Sequence, residues 1–352
     1  MRHPCRCRDR AGQESRKEVW VVKIGLLGAG RIGRFHARTL AEHPDVDALV
    51  IGDVDAGRAA TVAGEVGGEH TSVEGVIGAG LDAAVIAAAT TEHAALIGAC
   101  LDAGLPVFCE KPIAVDREET EAMVDRVESS GAVLQMGFQR RFDAGYGEAK
   151  RLIDDGTVGT LYSLRLATHD PAPPHEGYIP RSGGIFKDLF IHDLDILRWL
   201  TGTEAEEVYA QGSVRKFDVF EKYHDVDTAA ALITMTDGVV AVLTGGRQDP
   251  WGYDVRTEIF GSGDSVSVGL DGRTPLRSVE PGAAPREGQP YPDFLARFGD
   301  AYRAELGHFL KVARGRAENP CTARDALEAL RLAVAADLSM REGRPVGLSE
   351  VG

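Results

Sequence analysis

The apolar positions of this chain change texture part-way along it. From Val21 to about Gln139, short continuous apolar runs alternate with segments of helical spacing. VVKIGLLGAG is an unbroken apolar run, as expected of a strand buried on both faces of a parallel sheet. RIGRFHARTLAEH follows, with Ile32, Phe35 and Leu40 on one side of a helix. VDALVIGD, LDAAVIAAA, PVFCEKP and AVLQMGF repeat the buried-strand pattern. Residues 56–66, EHAALIGACLDAG and DREETEAMVDRVESSG read as the helices between them. Gly104 stops the second of these helices, and Asp116 caps the third, which has acids in its first turn. Strands alternating with helices predict a parallel sheet covered on both faces.

Beyond Gln139 the alternation stops. A helix over about 144–155 and a long strand, TLYSLRLATHD, lead into the proline-rich loop PAPPHEGYIP. KDLFIHDLD then reads as a helix with Asp188, His192 and Asp195 on one side and Phe190, Leu194 and Leu197 on another. DTAAALITMTD, VVAVLTGGR and VRTEIFGSGDSVSVG predict strands of a half-exposed, mostly antiparallel sheet. Residues 271–292 are rich in Pro and Gly and read as loop. Two helices close the chain, one capped by Asp293, the other opening on Thr322 with Asp325 three residues on. The expected fold is α/β: an N-terminal Rossmann dinucleotide-binding domain over 21–140, then an α+β domain with an open sheet over 141–352. Residues 1–20 are polar and basic without an apolar signal core, and are expected to lie outside the fold. Cys5 and Cys7 in that stretch are two soft donors, too few for a metal site.

Composition narrows the function. A length of 352 residues suits two domains. A formal charge of −15 opposes nucleic acid and anionic membrane as partners. No apolar run reaches the roughly 18 residues that span a bilayer. The five cysteines form no CxxC and no disulfide framework, which points to a reducing cytoplasm.

GAGRIG, residues 28–33, fits G-x-G-x-x-G between a predicted strand and a predicted helix. Gly28 permits the tight turn, Gly30 the approach to a pyrophosphate and Gly33 close helix–strand packing. Arg31 and Ile32 open the helix whose N–H groups face the phosphates. Asp53 ends the second strand 20 residues after Gly33. A carboxylate there accepts ribose hydroxyls and repels a 2′-phosphate, so the expected cofactor is NAD rather than NADP. That implies hydride transfer, with the protein handling the proton. Histidine suits that task. Lys111, in FCEKP at a strand end, is aimed at the nicotinamide end, where an ammonium stabilises a developing alkoxide or holds a hydroxyl. Pro112 is a candidate for a preceding cis bond that directs the lysine.

AGRIGRFHA, FCEKP, MGFQRRFD and GGIFKDLFIHDLDILRWL, in this order, are similar to the glucose-fructose oxidoreductase/inositol dehydrogenase family, over about residues 22–345. The D-x-x-x-H pair favours its inositol dehydrogenase branch. The resemblance implies NAD-dependent oxidation of an inositol ring hydroxyl, with another sugar or polyol as the runner-up substrate. It implies a catalytic set of Lys111, Asp188 and His192, and cofactor contacts that include Thr90 and Glu110. It implies substrate contacts at Arg141, Asp170 and Tyr253, and homodimers or tetramers built through the C-terminal sheet. AAATTEH and Asp170-Pro171 depart from common family patterns. Asp188 is expected to orient His192 or hold a hydroxyl, His192 to take the proton, and Asp193 and Asp195 to support the structure. A non-catalytic nucleotide-binding regulator would be expected to lose Lys111 or His192, and both are present. His169, Asp170, His175, Asp188, His192 and Asp193 are dense in metal donors, but no zinc spacing stands out and no metal is expected.

Overall fold

Apolar runs that can be buried on both faces build the first sheet. The computed structural model describes residues 22–283 and 288–352; the expected N-terminal tail, with Cys5 and Cys7, lies outside them. Strands β1 (Val22–Leu27), β2 (Val46–Gly52), β3 (Glu69–Thr71), β4 (Ala83–Ile86), β5 (Val107–Glu110) and β6 (Leu134–Gly137) are parallel, in the order β3-β2-β1-β4-β5-β6. Between them run helices α1 (Arg31–Ala41), α2 (Ala56–Val66), α3 (Val73–Ile77), α4 (Thr90–Asp102) and α5 (Arg117–Ser130). This is the Rossmann order, in which ligands bind outside the strand ends where the order reverses, here beside β1 and β4. Neither β3 nor α3 was visible in the hydrophobic pattern: β3 is three exposed residues and α3 a single capped turn.

The second layer begins with α6 (Ala144–Asp154) and β7 (Leu161–His169). Short helices α7 (Ile179–Ser182) and α8 (Ile185–Asp188) lead into α9 (Ile191–Thr201). Then come β8 (Ala205–Ser213), α10 (Val219–Lys222), β9 (Thr228–Met235), β10 (Val240–Gly246), β11 (Asp254–Gly261) and β12 (Ser265–Val268). α11 (Phe294–Val312), α12 (Ala323–Glu342) and β13 (Val346–Gly347) close the chain. The sheet runs β12-β11-β7-β10-β9-β8-β13, antiparallel except where β7 and β10 pair in parallel. VRTEIFGSGDSVSVG, expected as one strand, is the hairpin of β11 and β12, turned at Ser262-Gly263-Asp264. One face of the sheet is core; on the other, Leu232 is 47% and Val242 41% exposed.

The two closing helices belong to both layers. Leu306, Phe309 and Leu310 of α11 pack with Ile24, Leu26 and Phe108 of the first sheet. Ala326 and Leu327 of α12 pack with Leu27 and Ile86, whereas Leu332 and Ala336, further along, pack under the second sheet. The cap expected at Asp293 and the capping box at Thr322 and Asp325 both form.

Two buried ion pairs fix α9 to the end of the first sheet. After β6 the chain turns through a 3-10 segment, Gln139–Phe142. From it Arg140 donates to Asp193 at 2.7 Å, and Arg141 forks onto Asp195 at 2.5 and 2.9 Å. The four side chains are 0–4% exposed. Removing one partner strands a buried charge. Arg141→Met should therefore lower unfolding free energy by about 3–5 kcal/mol, read from urea denaturation. Arg141→Met with Asp195→Leu should recover most of that loss, because an apolar pair strands no charge.

Candidate active site

The glycine loop is built as the motif requires. Gly28 has φ +100°, and a Cβ on it would lie 2.5 Å from the Ala88 nitrogen. A Cβ on Gly33 would lie 2.0 Å from the Gly28 carbonyl oxygen, so only glycine lets α1 start this close to β1. A Cβ on Gly30 meets nothing within 4 Å. Gly30 is also the N-cap of α1, which has no side-chain cap, so the first-turn N–H groups face that open space. Arg31 lies over the Phe294 ring at 4.7 Å, and Ile32 packs between the two layers. Thr90 opens α4 just after Ala87 and Ala88, the residues Gly28 abuts.

Asp53 is 8% exposed at the end of β2. Its carboxylate accepts from the Ala29 N–H at 2.7 Å and from Arg58 at 2.5 and 3.0 Å. Burial opposes its ionisation, but Arg58 and the N–H groups of Ala29 and Asp55 prevail and hold its pKa below the usual carboxylate range. The next residue, Val54, is 87% exposed.

Lys111 follows β5, and the Lys111–Pro112 peptide bond is cis. Its Nζ donates to the Asp188 carbonyl at 3.1 Å and lies 3.8 Å from Asp188 Oδ1. Glu110, expected at the cofactor, turns its carboxylate to His36 of α1 at 2.7 Å. Asp188 accepts from the Tyr178 hydroxyl and from Arg247 Nη1, each at 2.8 Å. Burial works against its charge, yet Lys111, Arg247 and the Tyr178 hydroxyl outweigh it and hold its pKa below the usual carboxylate range. Asp170 Oδ2 stands 3.7 Å from Arg247. Burial pushes Asp170 up to about 6 despite Arg247, and Asp188 adds to the rise. Tyr253 is buried edge-on against Phe298, and burial pushes its phenol up.

His192 is half-buried, with Phe138 edge-on at 5.8 Å and Nδ1 without a hydrogen-bond partner. Burial, then Lys111 and Arg140, push its pKa well below the usual value. The ring is therefore neutral at neutral pH.

Three expectations are corrected. Arg141 does not face cofactor or substrate: its guanidinium is bonded to Asp195, Asp325 and the Pro320 carbonyl, and is 4% exposed. Asp188 makes no hydrogen bond to His192; its carboxylate accepts from Tyr178 and Arg247. KDLFIHDLD is not one regular helix either. The Phe190 N–H reaches back five residues to the Ile185 carbonyl, separating α8 from α9 and interrupting the regular helical spacing between Asp188 and His192.

Arg247 and Tyr178 were missed. Arg247 follows Gly245-Gly246 at the end of β10, whose parallel register sets Gly246 opposite His169 and so brings Arg247 to Asp170. An arginine closing an apolar strand was the available signal. Among the described residues no group of three or more His, Cys, Asp or Glu could hold a metal ion. Asp193 is committed to Arg140 and Thr168.

Residues 22–138 match the model of an oxidoreductase family with an NAD-binding Rossmann fold, and residues 146–267 match the GFO/IDH/MocA C-terminal domain. The chain is 35% identical to a myo-inositol 2-dehydrogenase of Thermotoga maritima, over 94% of this chain and 99% of that protein. It is 36% identical to an NAD(+) scyllo-inositol 2-dehydrogenase of Bacillus subtilis, over 93% and 96%. A crystal structure of scyllo-inositol dehydrogenase from Lactobacillus casei with bound NAD(H) and scyllo-inositol superposes with a TM-score of 0.85 at 29% identity, covering 94% of this chain and 99% of that one.

The space at Gly30, the uncapped start of α1 and the ionised Asp53 fit NAD. Arg58 already lies against Asp53, so a basic group is available if the carboxylate is removed. Asp53→Ser with Val54→Arg should shift preference toward NADP, read as the ratio of kcat/KM for the two cofactors. Persistent NAD preference would put the ribose contact elsewhere.

Proposed function

The chain belongs to the GFO/IDH/MocA oxidoreductase family, and from that premise we propose that it oxidises a ring hydroxyl of an inositol to the inosose with NAD, as a myo-inositol 2-dehydrogenase does. One observation carries the reading: Lys111, from a strand end of the first sheet, lies beside Asp188 of the second layer, with the neutral His192 at the start of the next helix. When bound, NAD would supply the hydride acceptor for the carbinol carbon. Gly28, Gly30, Gly33, Asp53 and Thr90 would hold it.

The chain's own residues handle the hydroxyl. Lys111 holds the reacting oxygen and stabilises negative charge as it develops there. A histidine of low pKa is a weak base, so it needs that acidification. His192 then takes the proton on a ring nitrogen. Asp188, ionised, accepts a hydroxyl of the ring, and Asp170 and Tyr253 border the same group of residues.

The exposed sheet face supports a homodimer or tetramer. Tyr162, Leu232, Val240 and Val242 project from it, and Arg165 and Glu258 pair across its strands. Among the described residues Cys100, Cys109 and Cys321 are free, buried thiols, which supports a reducing, cytoplasmic setting. No described helix is long and apolar enough to cross a membrane.

Purified protein with NAD and a panel of myo-inositol, scyllo-inositol and aldoses should produce NADH absorbance with an inositol. Silence across the panel would remove the dehydrogenase reading, and an aldose alone would move it to the runner-up substrate. His192→Ala should lower kcat by roughly 10²–10⁴; an unchanged rate would remove His192 from the mechanism. Leu232→Glu with Val242→Glu should reduce the oligomer to monomer in light scattering. An unaltered mass would place the interface elsewhere.

A further inference from the structure

Arg247 has no role in any of the steps above, yet it is a fully enclosed charge beside them. It is 2% exposed. Its Nη1 donates to Asp188 at 2.8 Å and lies 3.7 Å from Asp170, while Nε and Nη2 have no partner. The charged and titratable groups that face it or share its carboxylates come from five separate segments. Lys111 comes from the end of β5, Asp170 from the end of β7 and Tyr178 from the start of α7. Asp188 ends α8, and Asp225 lies between α10 and β9. Three carboxylates therefore share two cations.

The distances show how the sharing is settled. Asp188 is in hydrogen-bond contact with Arg247 and Tyr178, and its carboxylate stands 3.8 Å from the Lys111 ammonium, outside hydrogen-bond reach. We propose that Arg247 is a positioning residue: by tying Asp188 to Asp170 it keeps the Asp188 carboxylate off Lys111 and leaves that ammonium to the substrate hydroxyl. The inference rests on the dehydrogenase reading for what Lys111 does.

Its physical basis is competition. In a site of low dielectric, a carboxylate that loses one cation closes on the next. Without Arg247, Asp188 would settle on Lys111 as a contact pair. Asp170 would keep Asp188 as a like-charged neighbour with less compensation, so its protonation would move to higher pH. Lysine would not replace Arg247 fully, because one ammonium cannot reproduce the planar fork.

The test compares wild type, Arg247→Met, Arg247→Lys and Arg247→Met/Asp170→Asn in steady-state kinetics across pH. Arg247→Met should lower kcat about tenfold or more with the KM for NAD unchanged. It should also raise the acid limb of kcat/KM by about one pH unit. Arg247→Lys should recover part of kcat, and adding Asp170→Asn should abolish the displaced limb, because asparagine carries no titrating carboxyl. An acid limb and kcat at wild-type values in Arg247→Met would overturn the proposal, as would equal losses in kcat and in affinity for NAD. If Arg247→Met does not fold, Arg247→Lys decides: a displaced limb supports the proposal and an unmoved one sinks it. A wild type silent on the whole panel would mean that the dehydrogenase reading has failed. Carbon-13 titration of the aspartate carboxyls in wild type and Arg247→Lys then judges the charge sharing alone. A raised Asp170 midpoint in the variant upholds it, and identical titrations refute it.

Discussion

Arg140 and Arg141 leave the first sheet at its last strand and meet Asp193 and Asp195, two residues apart on α9. Each guanidinium buried without its carboxylate would cost several kcal/mol. A slip of α9 by one residue would orphan both pairs at once, so the register of α9 against the first layer is fixed. The position of His192, which precedes Asp193, follows from that register. So does the approach of α8 to Lys111, because α8 is joined to α9 by two residues only. Hydrophobic packing brings the layers together, since apolar contact is non-directional. The paired charges choose the alignment. Arg140 also reaches Thr168 near the end of β7, so the loop that begins with Asp170 is tied to the same point.

What could be read from the chain divides along physical lines. Buried parallel strands have to be continuous apolar runs, and the glycines of the loop are demanded by backbone contacts within a few residues, so both were legible. The group around Lys111 and Asp188 is made of contacts between distant segments, and local spacing cannot report these. Helical periodicity set Asp188, His192 and Asp195 on one face. The five-residue return at Phe190 breaks that face, and no polar or breaking residue in Leu189-Phe190 announces it. The resemblance implies a substrate contact at Arg141, whereas its partners lie 54 and 184 residues away and spacing cannot report them. Arg247 escaped notice for the same reason: its partners are 59 and 77 residues upstream.

The closing helices show why a change of texture is an incomplete guide to organisation. The sequence passes from alternating strand and helix to a half-exposed sheet near residue 140, and the sheets do divide there. Yet α11 returns to cover the first sheet, with Phe309 against Phe108, and α12 spans both cores along its length. A helix that contributes to two cores resists hinge motion between them. The distance between Lys111 and Asp188 is thus set by packing at three places: α9, α11 and α12.

Charge at the site follows from where the cations stand. Burial alone would neutralise every ionisable group there, carboxylates by gaining a proton and histidine by losing one. Asp170 shows the tendency, pushed up to about 6 although Arg247 is near. Asp188 escapes it because Lys111 and Arg247 both face it. His192 has no carboxylate partner, and Lys111 and Arg140 add to the effect of burial, so it is driven further toward neutrality. The same ammonium therefore acts in opposite senses on its two neighbours. It keeps the aspartate charged and the histidine uncharged, which is the pair of states that a hydroxyl acceptor and a proton acceptor need at one pH. Replacing Lys111 by a neutral residue would remove more than one ammonium from the site, because it would weaken both charge states together.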